Sequence, residues 1–241
     1  MTQRPRVSRE TASQAARSVI SDAAPELTAA ELDRLALLIG LVCATPVGVT
    51  AIREPAEAAA RHVLDALAGL PAIDAAPPGP LADVGSGGGL PGLVLATVRP
   101  AREMHLIEAT ARKAAFIAET ARELGLRVEV HAERSEDLGR GELRDACACV
   151  VARALAPPAV AAELCLPLCR PGGRLVLWSR EPAGDDLAAA AAALAGEVLV
   201  PECAGVLVVG KLGVTPERFP RRPGMAAKRP LALLRSDRPR R

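Results

Sequence analysis

The stretch Leu81-Ala-Asp-Val-Gly-Ser-Gly-Gly-Gly-Leu-Pro-Gly92 constrains this chain more than any other. An apolar run ends in an acid, breaks into glycines and resumes in a helix-compatible segment. Glycines let a backbone turn sharply and approach a ligand where a Cβ would collide. In a sheet flanked by helices such a turn lies at the carboxyl edge of the first strand, where nucleotide-like ligands bind. Met104-His-Leu-Ile-Glu108 reads as the next strand, closed by an acid 23 positions after Gly85. A carboxylate there can accept both hydrogen bonds of a ribose diol. The two segments together describe a pocket for an adenosine-containing cofactor.

The dinucleotide pattern G-x-G-x-x-G can be laid over Gly87, Gly89 and Gly92, but it then encloses Pro91 and starts two residues late. The register Asp83-x-Gly85-x-Gly87 fits better, as in S-adenosylmethionine (SAM) methyltransferases. SAM has no pyrophosphate to hold, and an acid near the turn suits its cationic amino-acid end. Taken alone, the glycine turn is also compatible with a plain strand-to-helix bend. Glu108 in place strengthens the cofactor reading.

The rest of the chain alternates helical and strand patterns. Thr28-Ala-Ala-Glu31 is a capping box leading into the stripe Leu32, Leu35, Ala36, Ile39 and Val42. Pro55 opens a second helix with Ala59, His62, Val63, Ala66, Leu67 and Leu70 on one face. Beyond Gly92 come a helix, the strand at 104–108 and a helix from Thr110 to Leu124 stopped by Gly125. Strands are expected near 127–131, 147–151, 173–178, 197–202 and 206–211, with helices near 158–169 and 183–195. The closeness of the last two strands makes them antiparallel neighbours. The expected fold is α/β: a doubly wound, mostly parallel seven-stranded sheet of the class I methyltransferase type, with a terminal hairpin and an N-terminal helical extension. The expected division is 1–75 for the arm and helices, 76–213 for the SAM-binding core and 214–241 for a basic segment.

Composition narrows the function classes. Half of the 241 residues are hydrophobic, enough for a sizeable core. The longest apolar run, Leu35 to Ala44, is too short to span a membrane, and Met1–Glu10 lacks a signal-like apolar region. A cytoplasmic protein without membrane association is expected. None of the three histidines stands at ligand spacing from a cysteine pair, so the six cysteines read as reduced core thiols and no metal is expected. Residues 218–241 hold nine bases against one acid, a charge of +8, leaving −6 on residues 1–217. A basic segment on an acidic body fits a phosphate backbone. Arginine outnumbers lysine 27 to 3, so arginine richness alone carries little weight.

Several motifs are specific enough to mark a resemblance: Arg61-His-Val-Leu-Asp65, Asp83-Val-Gly-Ser-Gly87 with Leu90-Pro-Gly92, and Arg112-Lys-Ala-Ala-Phe116. Arg134-Ser-Glu-Asp137, Ala152-Arg-Ala154 and Phe219-Pro-Arg-Arg-Pro-Gly-Met-Ala-Ala-Lys-Arg-Pro230 follow. From about Thr50 to Leu231 the chain resembles the RsmG (GidB) family, bacterial methyltransferases acting on guanine N7 of small-subunit (16S) ribosomal RNA. The resemblance implies SAM as cofactor and ribosomal RNA or the small ribosomal subunit as partner. It places Gly85 and Leu90 around SAM, Ser135 and Glu136 beside its adenine, and Arg153 at the pocket mouth. Asp83, Gly87 and Glu108 join them from the general SAM argument. Arg221, Arg222, Lys228 and Arg229 are expected on the RNA backbone, contacts that position without reading sequence. No catalytic residue is assigned beyond Arg153, because alkylating N7 removes no proton. On spacing alone, His62 and Asp65 read as a packed histidine bonded to its neighbour.

The chain departs from the family pattern at Gly48, where an asparagine is usual, at Ala66, where a serine is usual, and at Ser179, where a lysine is common. Two alternatives therefore stand beside rRNA methylation: a same-fold enzyme redirected to a small acceptor, and a non-catalytic SAM- or RNA-binding relative. A monomer is expected.

Overall fold

The computed structural model describes residues 8–231. Arg235, Arg238, Arg240 and Arg241 of the expected basic segment lie outside the described residues. Seven strands form one sheet: β1 Leu81–Val84, β2 Met104–Ile107, β3 Glu129–His131, β4 Cys147–Arg153, β5 Cys169–Trp178, β6 Gly196–Leu199 and β7 Val206–Lys211. Their order is β3-β2-β1-β4-β5-β7-β6. The first five run parallel, and β7 is antiparallel to both β5 and β6. This is the expected class I methyltransferase fold. The chain reverses direction across the sheet between β1 and β4, so the carboxyl ends of these strands open a crevice.

Helices cover both faces. α1 (Arg9–Ala23) and α2 (Ala29–Ala44) precede the sheet. Thr28 caps α2 through the expected box, its hydroxyl accepting from Glu31 N–H while Glu31 Oε2 accepts from Thr28 N–H. Ile20, Leu35, Ile39 and Val42 share one core with Leu95, Leu106 and Ile117 on α6 (Gly92–Val98), β2 and α7 (Ala111–Glu123). The helix opened by Pro55 starts as α3 (Pro55–Ala58), widens into a π-turn over Ala59–Leu64, and ends as α4 (Asp65–Ala68) and α5 (Leu70–Asp74). A π-turn shifts the register by one residue, and such turns recur at functional sites.

Several boundaries differ from expectation. The helix expected at 158–169 ends at Cys165 (α9, Pro158–Cys165), because Pro167 lacks an N–H to continue it; a 3-10 turn over Leu166–Leu168 leads into β5, which starts at Cys169. The strand expected at 197–202 stops at Leu199, ahead of Pro201. The strand expected at 127–131 is cut to Glu129–His131 at the sheet edge. Two short helices complete the chain, α8 (Ser135–Leu138) and α10 (Asp185–Ala193), before a terminal strap that carries α11 (Met225–Lys228).

Candidate cofactor and substrate cleft

A cleft of about 1160 Å³ opens at the carboxyl ends of β1, β2 and β4. Gly85, Gly87, Leu90, Glu108, Ser135, Glu136 and Arg153 all line it. Gly85, Gly87 and Gly89 hold φ of +71°, +58° and +81°, a region L side chains enter only with strain. A Cβ on Gly85 would lie 2.6 Å from Leu155 Cδ1. The turn is therefore glycine-dependent in conformation and in space.

Asp83 is expected at the ligand but does not line the cleft. Its carboxylate points beneath the turn, where Oδ2 accepts from Gly92 N–H at 2.9 Å and Oδ1 has no partner among the described residues. Burial pushes its carboxyl up to about 6, against the opposing pull of the Gly92 N–H. The residue ties the end of β1 to the start of α6 and so shapes the glycine turn from below. Glu108 stands at the cleft. Its Oε2 accepts from Gly87 N–H at 3.0 Å and its Oε1 from Thr110 N–H at 2.8 Å. Two backbone amides thus fix the carboxylate, and each oxygen keeps a lone pair for a ribose hydroxyl.

Arg153, at the end of β4, is a hub. Its guanidinium donates to the Arg61 carbonyl at 2.9 Å, to Asp65 Oδ2 at 3.2 Å and to His62 Nδ1 at 3.1 Å. The π-turn presents Arg61 and His62, and α4 begins with the third acceptor, Asp65. His62 and Asp65 thus meet through Arg153, where spacing alone paired them directly. Because an arginine can only donate, His62 Nδ1 is an acceptor and its proton sits on Nε2, facing Thr50 Oγ1 at 2.9 Å. Burial and the Arg153 charge draw the His62 ring down to about 4, so it is neutral at physiological pH. Both ring nitrogens are committed, and the ring is no general base.

The terminal strap forms one wall of the cleft through Gly224, Ala226 and Ala227. Gly224 N–H donates to Glu136 Oε1 at 3.1 Å, so one oxygen of a residue expected at the adenine holds the strap. Arg221, expected on RNA, instead donates through Nε and Nη2 to Glu163, which is 2% exposed on α9. Arg222, Lys228 and Arg229 are exposed. Arg144 donates to the carbonyls of Thr215 and Phe219, and Arg140 to that of Pro220. Buried Lys211 donates to Thr215 Oγ1 at 2.6 Å and stands 3.3 Å from Asp145 Oδ1. Sequence reasoning missed Glu163, Arg144, Asp145 and Lys211. Lys211 offered a signal, a lone cation closing the apolar run Val206-Leu-Val-Val-Gly210.

Comparison with known proteins places the chain in a family. The family described as rRNA small subunit methyltransferase G (GidB) matches residues 34–203. The chain belongs to the rRNA small subunit methyltransferase G family. It is 40% identical to the ribosomal RNA small subunit methyltransferase G of Sorangium cellulosum over 183 residues, 72% of this chain and 76% of that protein. It is 37% identical to the same-named protein of Pelotomaculum thermopropionicum over 197 residues, covering 76% of this chain and 82% of the relative. The Roseiflexus sp. protein of that name is 38% identical over 201 residues, 78% of this chain and 85% of its own. The family match ends at 203, so the strap residues Phe219, Arg221 and Gly224 lie beyond it while their partners Arg144, Glu163 and Glu136 lie within it.

Proposed function

We propose that the protein transfers a methyl group from SAM to guanine N7 in small-subunit (16S) ribosomal RNA, acting as a monomer in the bacterial cytoplasm. Family membership supports the reaction class. The observation that carries the assignment to this site is a single cleft joining the Gly85–Gly87 turn and Glu108 to the tethered Arg153.

The residues present fit SAM: the positive-φ glycines leave backbone free to meet a ligand, and Glu108 is an oriented acceptor for ribose hydroxyls. Ser135 and Glu136 line the cleft where α8 begins, which supports reading them as adenine contacts. When bound, SAM supplies an electrophilic methyl group on a sulfonium. Guanine N7 presents a lone pair and no proton at neutral pH, so the acceptor needs alignment and no base. The chain matches that demand, since His62 is neutral with both nitrogens engaged and Asp65 is held by Arg153. Arg153, fixed by three acceptors, orients the acceptor at the mouth. Exposed Arg222, Lys228 and Arg229 hold RNA phosphates.

The test is transfer of labelled methyl from SAM to purified small subunits that lack native guanine-N7 methylation, with nucleoside digestion of the product. Labelled 7-methylguanosine is expected. SAM binding without label in RNA would refute the assignment.

A further inference from the structure

Two of the three histidines, His105 on β2 and His131 on β3, take no part in the cleft. They are 5% and 6% exposed on one face of the sheet edge, with Glu129 beside them in register with His105. We propose that His105, His131 and Glu129 form a site for a divalent transition-metal ion, Zn²⁺ being the best match, that braces β3 to β2 behind Glu108.

The spacing fits an ion. His105 Nδ1 lies 3.1 Å from His131 Nε2, and an ion about 2.0–2.1 Å from both would see them about 100° apart, near tetrahedral. Glu129 supplies the third ligand, with Oε2 3.4 Å from His105 Nδ1 and Oε1 3.8 Å from His131 Nε2. The outer nitrogens face carboxylates as well. His105 Nε2 is 3.5 Å from Glu103 Oε1, and His131 Nδ1 is 3.7 Å from Glu142 Oε1. Metal-bound histidines characteristically direct their second N–H at such a group, which fixes the tautomer and strengthens the ligand. Without an ion, the facing nitrogens share one proton. With it, that proton moves to the outer nitrogen of its own ring, facing a carboxylate. Three carboxylates around the two rings also give the pocket a negative charge that a dication offsets. A C-x-x-C or Cys–His search cannot find this site, because its histidines are 26 residues apart and meet only through strand pairing.

The position gives the site a use. β3 is a three-residue edge strand, and its His131 carbonyl accepts from Glu108 N–H at 3.0 Å. An ion joining the two strands would hold the backbone from which Glu108 reaches the cleft.

The experiment is calorimetric titration of the tag-free full-length protein with Zn²⁺, repeated with Co²⁺ for its visible spectrum. One equivalent is expected to bind and raise the melting temperature, with a Co²⁺ spectrum free of thiolate charge transfer. Glu129→Gln, an exposed change that leaves the strands intact, is expected to weaken binding more than about tenfold, and Glu103→Gln or Glu142→Gln by about tenfold. His131→Asn is expected to abolish it. No Zn²⁺ binding, affinity unchanged in Glu129→Gln and His131→Asn, or a thiolate band would each overturn the proposal.

Discussion

Replacing Arg221 with Met separates two roles that its sequence context merges. In the structure Arg221 neutralises Glu163, which is 2% exposed, through two N–H···O bonds, and donates a third to the Arg229 carbonyl. Methionine fills similar volume but leaves Glu163 buried without its counter-charge. Breaking a buried pair from one side costs about 3–5 kcal/mol. Two charge-assisted bonds at about 1.5–3 kcal/mol each reach the same range. The strap can also lift away locally, so the loss is capped by the strap's own docking energy. If the whole cost falls on local opening, the population of the open strap rises between roughly a hundredfold and a few thousandfold, at 1.4 kcal/mol per decade. Tryptic cleavage after Lys228, timed against urea melts, reads both global and local loss. Restoring charge balance in Glu163→Met/Arg221→Met should return stability to within about 1–2 kcal/mol of the parent, because an apolar pair replaces an ionic one. Unchanged proteolysis and melting in Arg221→Met, together with lost RNA affinity, would refute the reasoning and return Arg221 to the RNA surface.

Gly85→Ala is expected to cost at least about 1–2 kcal/mol for a non-glycine residue at φ +71°, with more from the clash at Leu155, and to lower SAM affinity more than about tenfold; isothermal titration and melts read the two separately. His62 has an ordinary value of 6.5 that falls to about 4 on folding, so the unfolded chain takes up a proton in that window that the native protein refuses. Its contribution to stability is full above about pH 6.5 and is lost as pH falls toward 4, with a slope of at most about 1.4 kcal/mol per pH unit, reduced because the ring is partly open to solvent. Asp83, raised to about 6, tilts the opposite way between 3.8 and 6, so the His62 effect is read as the difference between parent and His62→Gln urea melts; identical pH profiles would contradict it. Arg222→Ser/Lys228→Ser/Arg229→Ser should leave SAM affinity intact and flatten the slope of log K for RNA against log salt by about two to three, measured by filter binding across salt concentrations.

Chain order and sheet topology were legible because they depend on patterns local to the chain. An apolar run ending in Asp83 and glycines, a second ending in Glu108, and capping signals at Thr28 and Gly125 each mark one boundary. Interruptions set by single residues were harder to see, as at Pro167, where a continuous apolar pattern hides a helix end. The cleft lining around the glycine turn was legible for the same reason, since Gly85, Gly87, Leu90 and Glu108 lie within one β-α-β unit. The orientation of Asp83 was not, because spacing cannot tell a carboxylate aimed at a ligand from one aimed at the next helix. Charge counting read 218–241 as a basic segment for a phosphate backbone, yet Arg221 has a buried acid 58 positions earlier. Such a partner becomes visible only when α9 and the strap pack together. The His105–His131 pair escaped for the same reason.

The departures at Gly48, Ala66 and Ser179 bear on the acceptor, and the structure separates them. Gly48 has φ +72° and open space around its missing Cβ. Asparagine and glycine are the residues that best tolerate that backbone, so the exchange keeps a conformation. Ala66 is fully buried and does not line the cleft, so its missing hydroxyl meets no substrate. Only Ser179 faces the cleft, where its hydroxyl donates to the Glu181 carbonyl at 3.0 Å. The lysine charge absent there is present one residue on, in exposed Arg180, which also lines the cleft. If Arg180 supplies that charge, Arg180→Ser lowers methyl transfer to small subunits while SAM affinity holds, and Ser179→Lys in that background restores transfer. Full transfer by Arg180→Ser alone would show that the acceptor needs no cation at this edge. The departure at Ser179 would then favour the small-acceptor alternative.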